Sequence, residues 1–292
     1  MGPKNGAVRY KAAHEAELFT INTSPAIAYK LSETVWIGAA AYIYWSKVQL
    51  HQFYPWAVLT QNPAQPDGLA SFEGDGTGIG GHIGITWEFS KGHRIALNYR
   101  SQADVNVEGD FGISNLPAVA SSLGFTQSSS FGTEINLPNI VGLGYGIQIN
   151  DRLRAEVSGE WVEFSRLESF TFDIANNNLL LPSTVLPQNW NNTFTLGIAG
   201  DYELSSAWRL LGGYQHYESP VPDSTMTPMI PDSNQHAITV GLAYRCGSHR
   251  LEVSYGHVFY LTQSVDAAVN PIFPGEYRFN VHLLSLGYGF AF

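Results

Sequence analysis

Six arginines, Arg94, Arg100, Arg154, Arg209, Arg245 and Arg250, sit in segments where polar and apolar residues alternate. Between residues 93 and 107, Arg94, Asn98 and Arg100 alternate with Ile95, Leu97 and Tyr99. Arg154, Glu156, Ser158 and Glu160 oppose Leu153, Ala155, Val157 and Trp161 in the same way. A guanidinium on the polar face of a strand can bind an oxyanion such as a carboxylate through its planar fork of donors. It can equally pair with acids of that face, here Glu156, Glu160, Asp201, Glu203 and Glu252, and stiffen the wall. Both readings stay open.

Other chemistries find less support. Ser254 and His257 supply a nucleophile and a base for ester hydrolysis, but three residues apart in a strand they point to opposite faces. Gly76, Gly78 and Gly81 satisfy the GxGxxG spacing, yet residues 82–89 alternate as a strand where dinucleotide binding needs a helix, so these glycines read as a strand entry. The nine histidines show no metal-ligand spacing, and neither a metal nor a cofactor is expected. A single cysteine, Cys246, excludes an internal disulfide, a Cys-rich zinc site and a CxxC motif; it is expected as a small buried apolar residue. With 15 Lys and Arg and a net charge of −10, the chain lacks the clustered cations that a nucleic-acid partner requires.

The elements that carry these residues are strands. Only 14% of the 292 residues are charged, 13% are aromatic and 29 are Gly, a composition of short turns and greasy strands. Alternation places strands at about 24–31, 35–52, 78–90, 93–107, 134–149, 153–167, 191–204, 207–218, 235–246, 249–261 and from 276 onward, about eleven in all. Tight turns at 32–33, 91–92, 150–151, 205–206 and 247–248 alternate with long links near 53–77, 108–133, 168–190, 219–234 and 262–275. Short turns at one end and long loops at the other are the pattern of an outer-membrane barrel. No apolar run reaches the ~18 residues of a spanning helix, the greasiest stretch being 36–45, so any span is made of strands. The expected fold is all-β, a transmembrane antiparallel β-barrel in one domain, residues 1–292. Residues 1–18 lack the basic and apolar regions of a secretory signal. Two loops are unusually apolar, 53–59 with Phe53, Trp56 and Leu59, and 179–182 with Leu180. Such patches bind greasy ligands or pack over the barrel mouth.

Specific segments resemble the FadL/TodX family of outer-membrane transporters of hydrophobic compounds. SPAIAYKLSETVWIGAAA (24–41), HRIALNYRSQADVNVEGDF (93–111) and LPNIVGLGYGIQINDRL (137–153) are similar to the family in order and spacing, as are residues 186–245 and the terminal GYGFAF. The run from Trp208 through Tyr214 to Pro220, Pro222 and Pro231-Asp232 is the most specific.

The resemblance implies a 14-stranded barrel with an N-terminal plug. Against that pattern the plug and roughly three leading strands are absent here, so the family's gating roles pass to no residue of this chain. It also implies residence in the outer membrane of a Gram-negative bacterium and a transport role without enzymatic activity. The implied cargo is a long-chain fatty acid or another hydrophobic small molecule, aromatic hydrocarbons included. The implied partners are outer-membrane lipid, lipopolysaccharide and the barrel-assembly machinery, the last reading Tyr288, Phe290 and Phe292.

A fatty acid needs an apolar channel and a cation for its carboxylate. Arg100, within the YRS segment, is the expected headgroup contact and Arg154 a further candidate, with Phe53, Trp56, Leu59 and Leu180 on the tail. Two rivals remain: an outer-membrane lipid-hydrolysing enzyme, and a soluble lipid- or carbohydrate-binding β protein with its apolar residues in a dry core.

Overall fold

The computed structural model describes residues 9–175 and 185–291. Its strands are β1 (Glu15–Thr23), β2 (Ala26–Lys30), β3 (Val35–Tyr54), β4 (Gly68–Ser90), β5 (His93–Arg100), β6 (Ala103–Ile113), β7 (Ser128–Leu137), β8 (Ile140–Gln148), β9 (Leu153–Val162), β10 (Ser169–Thr171), β11 (Asp173–Ile174), β12 (Val185–Pro187), β13 (Thr193–Glu203), β14 (Trp208–Tyr217), β15 (Gln235–Cys246), β16 (His249–Tyr260), β17 (Gln263–Val265), β18 (Gly275–Tyr277) and β19 (Asn280–Phe290). Two helical turns, α1 (Trp56–Leu59) and α2 (Ala118–Ser122), lie in the long loops.

One antiparallel sheet holds 15 of these strands. β1 and β2 lie against β3 in a single register, from Glu15 opposite His51 to Lys30 opposite Trp36. β5 and β6 continue one another, β7 and β8 do the same, and β11 adds two residues beside β7. Setting those four continuations aside leaves eleven wall strands among the described residues, in sequence order from β1–β2 to β19. The sheet is open: neither of those end strands pairs with a further strand among the described residues.

The apolar set of each strand points outward. Leu97, Tyr255 and Phe290 are 48%, 44% and 55% exposed, which excludes a dry core behind them and with it the soluble reading. An outer wall of this kind is stable only in hydrocarbon, where the backbone groups are satisfied within the sheet. Trp87, Phe89, Tyr145, Trp208, Tyr244 and Tyr288 ring the short-turn end, as the interfacial girdle of a barrel does. Cys246 does not fill a core. It is exposed at the end of β15, opposite His249 and next to the turn glycine Gly247, because strand parity carries it outward with Tyr244.

β3 and β4, of 20 and 23 residues, are twice the ~9–11 that a membrane strand needs. Their pairing runs on to Tyr54 opposite Gly68. The link expected at 53–77 therefore shrinks to residues 55–67, and Gly76 and Gly78 lie within a strand instead of at its entry. In the upper half the outward residues Lys47, Gln49 and His51 face Asp75, Glu73 and Ser71, polar pairs that stand above the apolar band.

The strand expected over 93–107 breaks at Ser101–Gln102, and the one over 134–149 breaks at Pro138–Asn139. His82 pairs with Arg100 but Thr77 pairs with Asn106, a one-residue slip of β6 against β4. At the slip the sheet creases. A Cβ at Gly74 would lie 2.6 Å from the Glu108 carbonyl oxygen and one at Gly78 2.7 Å from that of Asp104; one at Gly76 would collide with the Asn106 carbonyl. Only glycine permits this approach. The crease turns the β6–β7 ribbon over the inner face of β3, where Ala103, Val105, Val107 and Ile135 pack on Tyr42 and Tyr44. A second cluster above it joins Trp56, Phe72, Phe111, Phe131 and Phe172.

Candidate ligand-binding site in the barrel interior

Arg100 ends β5 just below the crease, opposite His82 of β4 and Ile140 of β8. Its guanidinium lies over the Tyr42 ring, 4.8 Å from the centroid, a cation–π contact. Tyr42 stacks on His82 at 5.9 Å and is tilted against Tyr44 at 6.0 Å. Arg100 makes no salt bridge among the described residues, whereas Arg94, Arg154, Arg166, Arg209 and Arg250 each have a carboxylate. Directly above are the aliphatic side chains of Val105, Val107 and Ile135. Below, the register row Ala28, Gly38, Gly84, Asn98, Gly142 carries almost no side-chain volume. A Cβ at Gly142 would lie 2.5 Å from Asn98 Nδ2, so the amide side chain lies over that glycine. The result is a cation with no salt-bridge partner among the described residues, beside an aliphatic cluster and above a row of small residues broken only by Asn98.

Arg154 is placed differently. It donates to Asp201 at 2.8 Å, and Arg209 reaches the other oxygen of the same carboxylate at 3.2 Å. Asp201 is only 7% exposed, so this triad holds β9, β13 and β14 together.

The apolar loop residues separate. Trp56 is fully buried in the upper aromatic cluster, its Nε1 donating to the Ser114 carbonyl at 3.1 Å. Phe53 belongs to β3, with His14 stacked on it at 4.7 Å and Arg9 over its ring at 4.0 Å. Leu59 and Val58 are exposed on the tip of α1. Leu180 lies outside the described residues. Ser254 pairs with Gly241 on the inner face and His257 with Ile238 on the outer one, so the two cannot form a nucleophile–base couple.

Sequence reading missed Asn139, which organises the crease. Its Oδ1 accepts from Tyr99 Oη at 2.7 Å and from the Gln102 amide at 2.8 Å, while Nδ2 donates to Glu163 at 2.6 Å. Arg166, in the 3-10 turn after β9, clasps Asp104 at 2.7 Å and also bonds Gln102. The one available signal was Pro138 beside Asn139, a break in an otherwise alternating run.

A lipid-faced antiparallel wall around an amphiphilic interior defines the class as a transmembrane β-barrel. The chain belongs to the outer membrane protein transport family (OMPP1/FadL/TodX), whose model matches residues 4–292. It is 22% identical over 264 residues to the long-chain fatty acid transport protein of Salmonella typhi, covering 82% of this chain and 60% of that one. Among solved structures it is similar to a Pseudomonas aeruginosa FadL homologue, with a TM-score of 0.79, 19% identity, 96% of this chain and 68% of the other. It is also similar to the Pseudomonas putida toluene transporter TodX, with a TM-score of 0.69, 15% identity, 95% of this chain and 70% of the other. The chain spans between about two fifths and three fifths of the length of the curated relatives it matches.

Proposed function

We propose that this chain is the wall of an outer-membrane channel through which long-chain fatty acids enter a Gram-negative cell. The observation that carries the reading is Arg100, a guanidinium in the barrel interior with an aromatic neighbour, no salt bridge among the described residues and an aliphatic cluster packed on that same aromatic ring. A carboxylate loses much hydration on entering such a space and needs a charge-assisted partner there. The acyl chain would lie along Ala28, Gly38 and Gly84, where the wall is nearly bare, up to the Asn98 side chain that covers Gly142. An aromatic hydrocarbon, with no charge to satisfy, would leave the Arg100 fork unused. The named fatty-acid relative supports the same choice.

The role is transport, with no bond made or broken by the protein. Surrounding partners would be outer-membrane lipid and lipopolysaccharide against the outward band, and the barrel-assembly machinery at β19. The exposed Leu59 and Val58 on α1 suit first capture of a greasy solute. Mass spectrometry of molecules co-purifying with the detergent-extracted protein tests the proposal. Carboxylated lipids, depleted in Arg100→Ala, are expected. Neutral hydrocarbons alone, or carboxylates retained equally by the variant, would overturn it.

A further inference from the structure

On the outward side of the wall, toward its long-loop end, Tyr214, His216 and His236 form one small group and Tyr255, His257 and His282 a second. In each, two histidines face one another across paired strands, His216 opposite His236 and His257 opposite His282. In each, the tyrosine two residues before the first histidine meets Nδ1 of the second, Tyr214 at 2.6 Å and Tyr255 at 2.7 Å. At the short-turn end the tyrosine–histidine bond stands without that second imidazole: His93, bonded to Tyr145, lies opposite Ile147, and His249, bonded to Tyr288, lies opposite Phe290. In the second group His257 Nδ1 also lies 3.1 Å from His282 Nδ1, the two rings crossing at 85°. An imidazole nitrogen carries one hydrogen or one in-plane lone pair, so His282 Nδ1 cannot serve Tyr255 and His257 together. Two nitrogens bound to one ion at ~2.0–2.1 Å stand ~2.9 Å apart at a right angle and ~3.3 Å apart at the tetrahedral angle. The separation found here lies between those two values.

We propose that Tyr255, His257 and His282 form a binding site for a divalent transition-metal ion of the zinc, nickel or copper type, whose preference is for imidazole nitrogen. His257 and His282 ligate through Nδ1 as neutral rings, and the Tyr255 hydroxyl supplies the third polar group at that point. Among the described residues no three His, Cys, Asp or Glu side chains converge, so the ion is exchangeable and keeps positions open to water. It ties β16 to β19, the strand at one end of the open sheet. The two imidazoles are 25 residues apart in the chain and meet only through strand register, which is why no ligand spacing shows in the sequence.

The full chain, without a histidine tag, is stripped of metal with a chelator and titrated in detergent with nickel and with zinc chloride by calorimetry. His236→Ala serves as the reference protein, so that the first group adds no binding of its own. One saturable site is expected in the reference, weakened about tenfold or more by adding His282→Ala, at least the effect of losing an outer-shell partner. Saturating zinc should also raise the temperature at which the reference loses its heat-modifiable migration, because the ion binds the folded wall. With copper(II), the electron paramagnetic resonance spectrum of the reference should show nitrogen hyperfine splitting that His282→Ala reduces. Heat-modifiable migration checks that each variant is folded. No saturable binding in the reference, or equal binding with and without His282, would overturn the site.

Discussion

Arg100 and Tyr42 come from strands separated by β4, and the guanidinium still lies 4.8 Å from the Tyr42 ring centre. The contact closes over His82, which stacks on Tyr42 from β4 between them. Three neighbouring strands converge there on one interior point, just below the crease that Gly74, Gly76 and Gly78 permit.

For Arg100 itself, the expected effect of Ala is about a tenfold or greater loss of carboxylate binding, since a charge-assisted hydrogen bond contributes ~1.5–3 kcal/mol. Tyr42→Leu should cost less, about two- to fivefold, because it removes only a cation–π contact of ~0.5–1 kcal/mol. Equilibrium binding of a fluorescent fatty acid to both variants gives the ratio; equal losses would deny the oxyanion role.

Gly76 tests the crease. Gly76→Ala sets a methyl group against the Asn106 carbonyl, with no flexible side chain to move aside. Destabilisation of about 2–3 kcal/mol or more is expected, in the range of overpacked interiors. Gly81→Ala is the control, its nearest atom being 3.9 Å away at the Ala40 oxygen. Urea unfolding in lipid vesicles should separate the two.

Asp201 carries two arginines. Asp201→Asn leaves Arg154 and Arg209 without their shared charge, and about 2–3 kcal/mol of stability should be lost, below the ~3–5 of a fully buried pair because both arginines are partly exposed. Arg154→Ala should cost less than half as much, since Arg209 remains on the carboxylate. The same unfolding measurement orders the three proteins.

Trp56 anchors the loops of the upper end. Trp56→Ala should cost about 3–5 kcal/mol locally, and its effect should appear as faster proteolysis within residues 114–127, because Ser114 loses the indole donor. The heat-modifiable wall should persist. Collapse of the whole barrel would show the cluster to be part of the wall's own stability.

What residue order determined by itself is the wall. Alternation along one strand needs no knowledge of its neighbours, so the outward faces of Leu97 and Tyr255, the turns at 91–92 and 247–248, and the number of wall strands were all readable. Opposite parity separated Ser254 from His257 for the same reason. Tertiary structure decided the interior. Arg100 and Arg154 share parity and chemistry, yet one lies on the Tyr42 ring with no salt bridge among the described residues and the other is fixed to Asp201, because that depends on which acids the neighbouring strands bring to the same level. Gly76 and Gly78 looked like a strand entry, since the carbonyls of β6 that require them arrive from about 30 residues further along the chain. Trp56 read equally as ligand bait or as packing over the barrel mouth, and Phe72, Phe111, Phe131 and Phe172, which close around it, decide for packing. A strand's period fixes the side to which a residue points, and only the register and bend of its neighbours fix what it meets there.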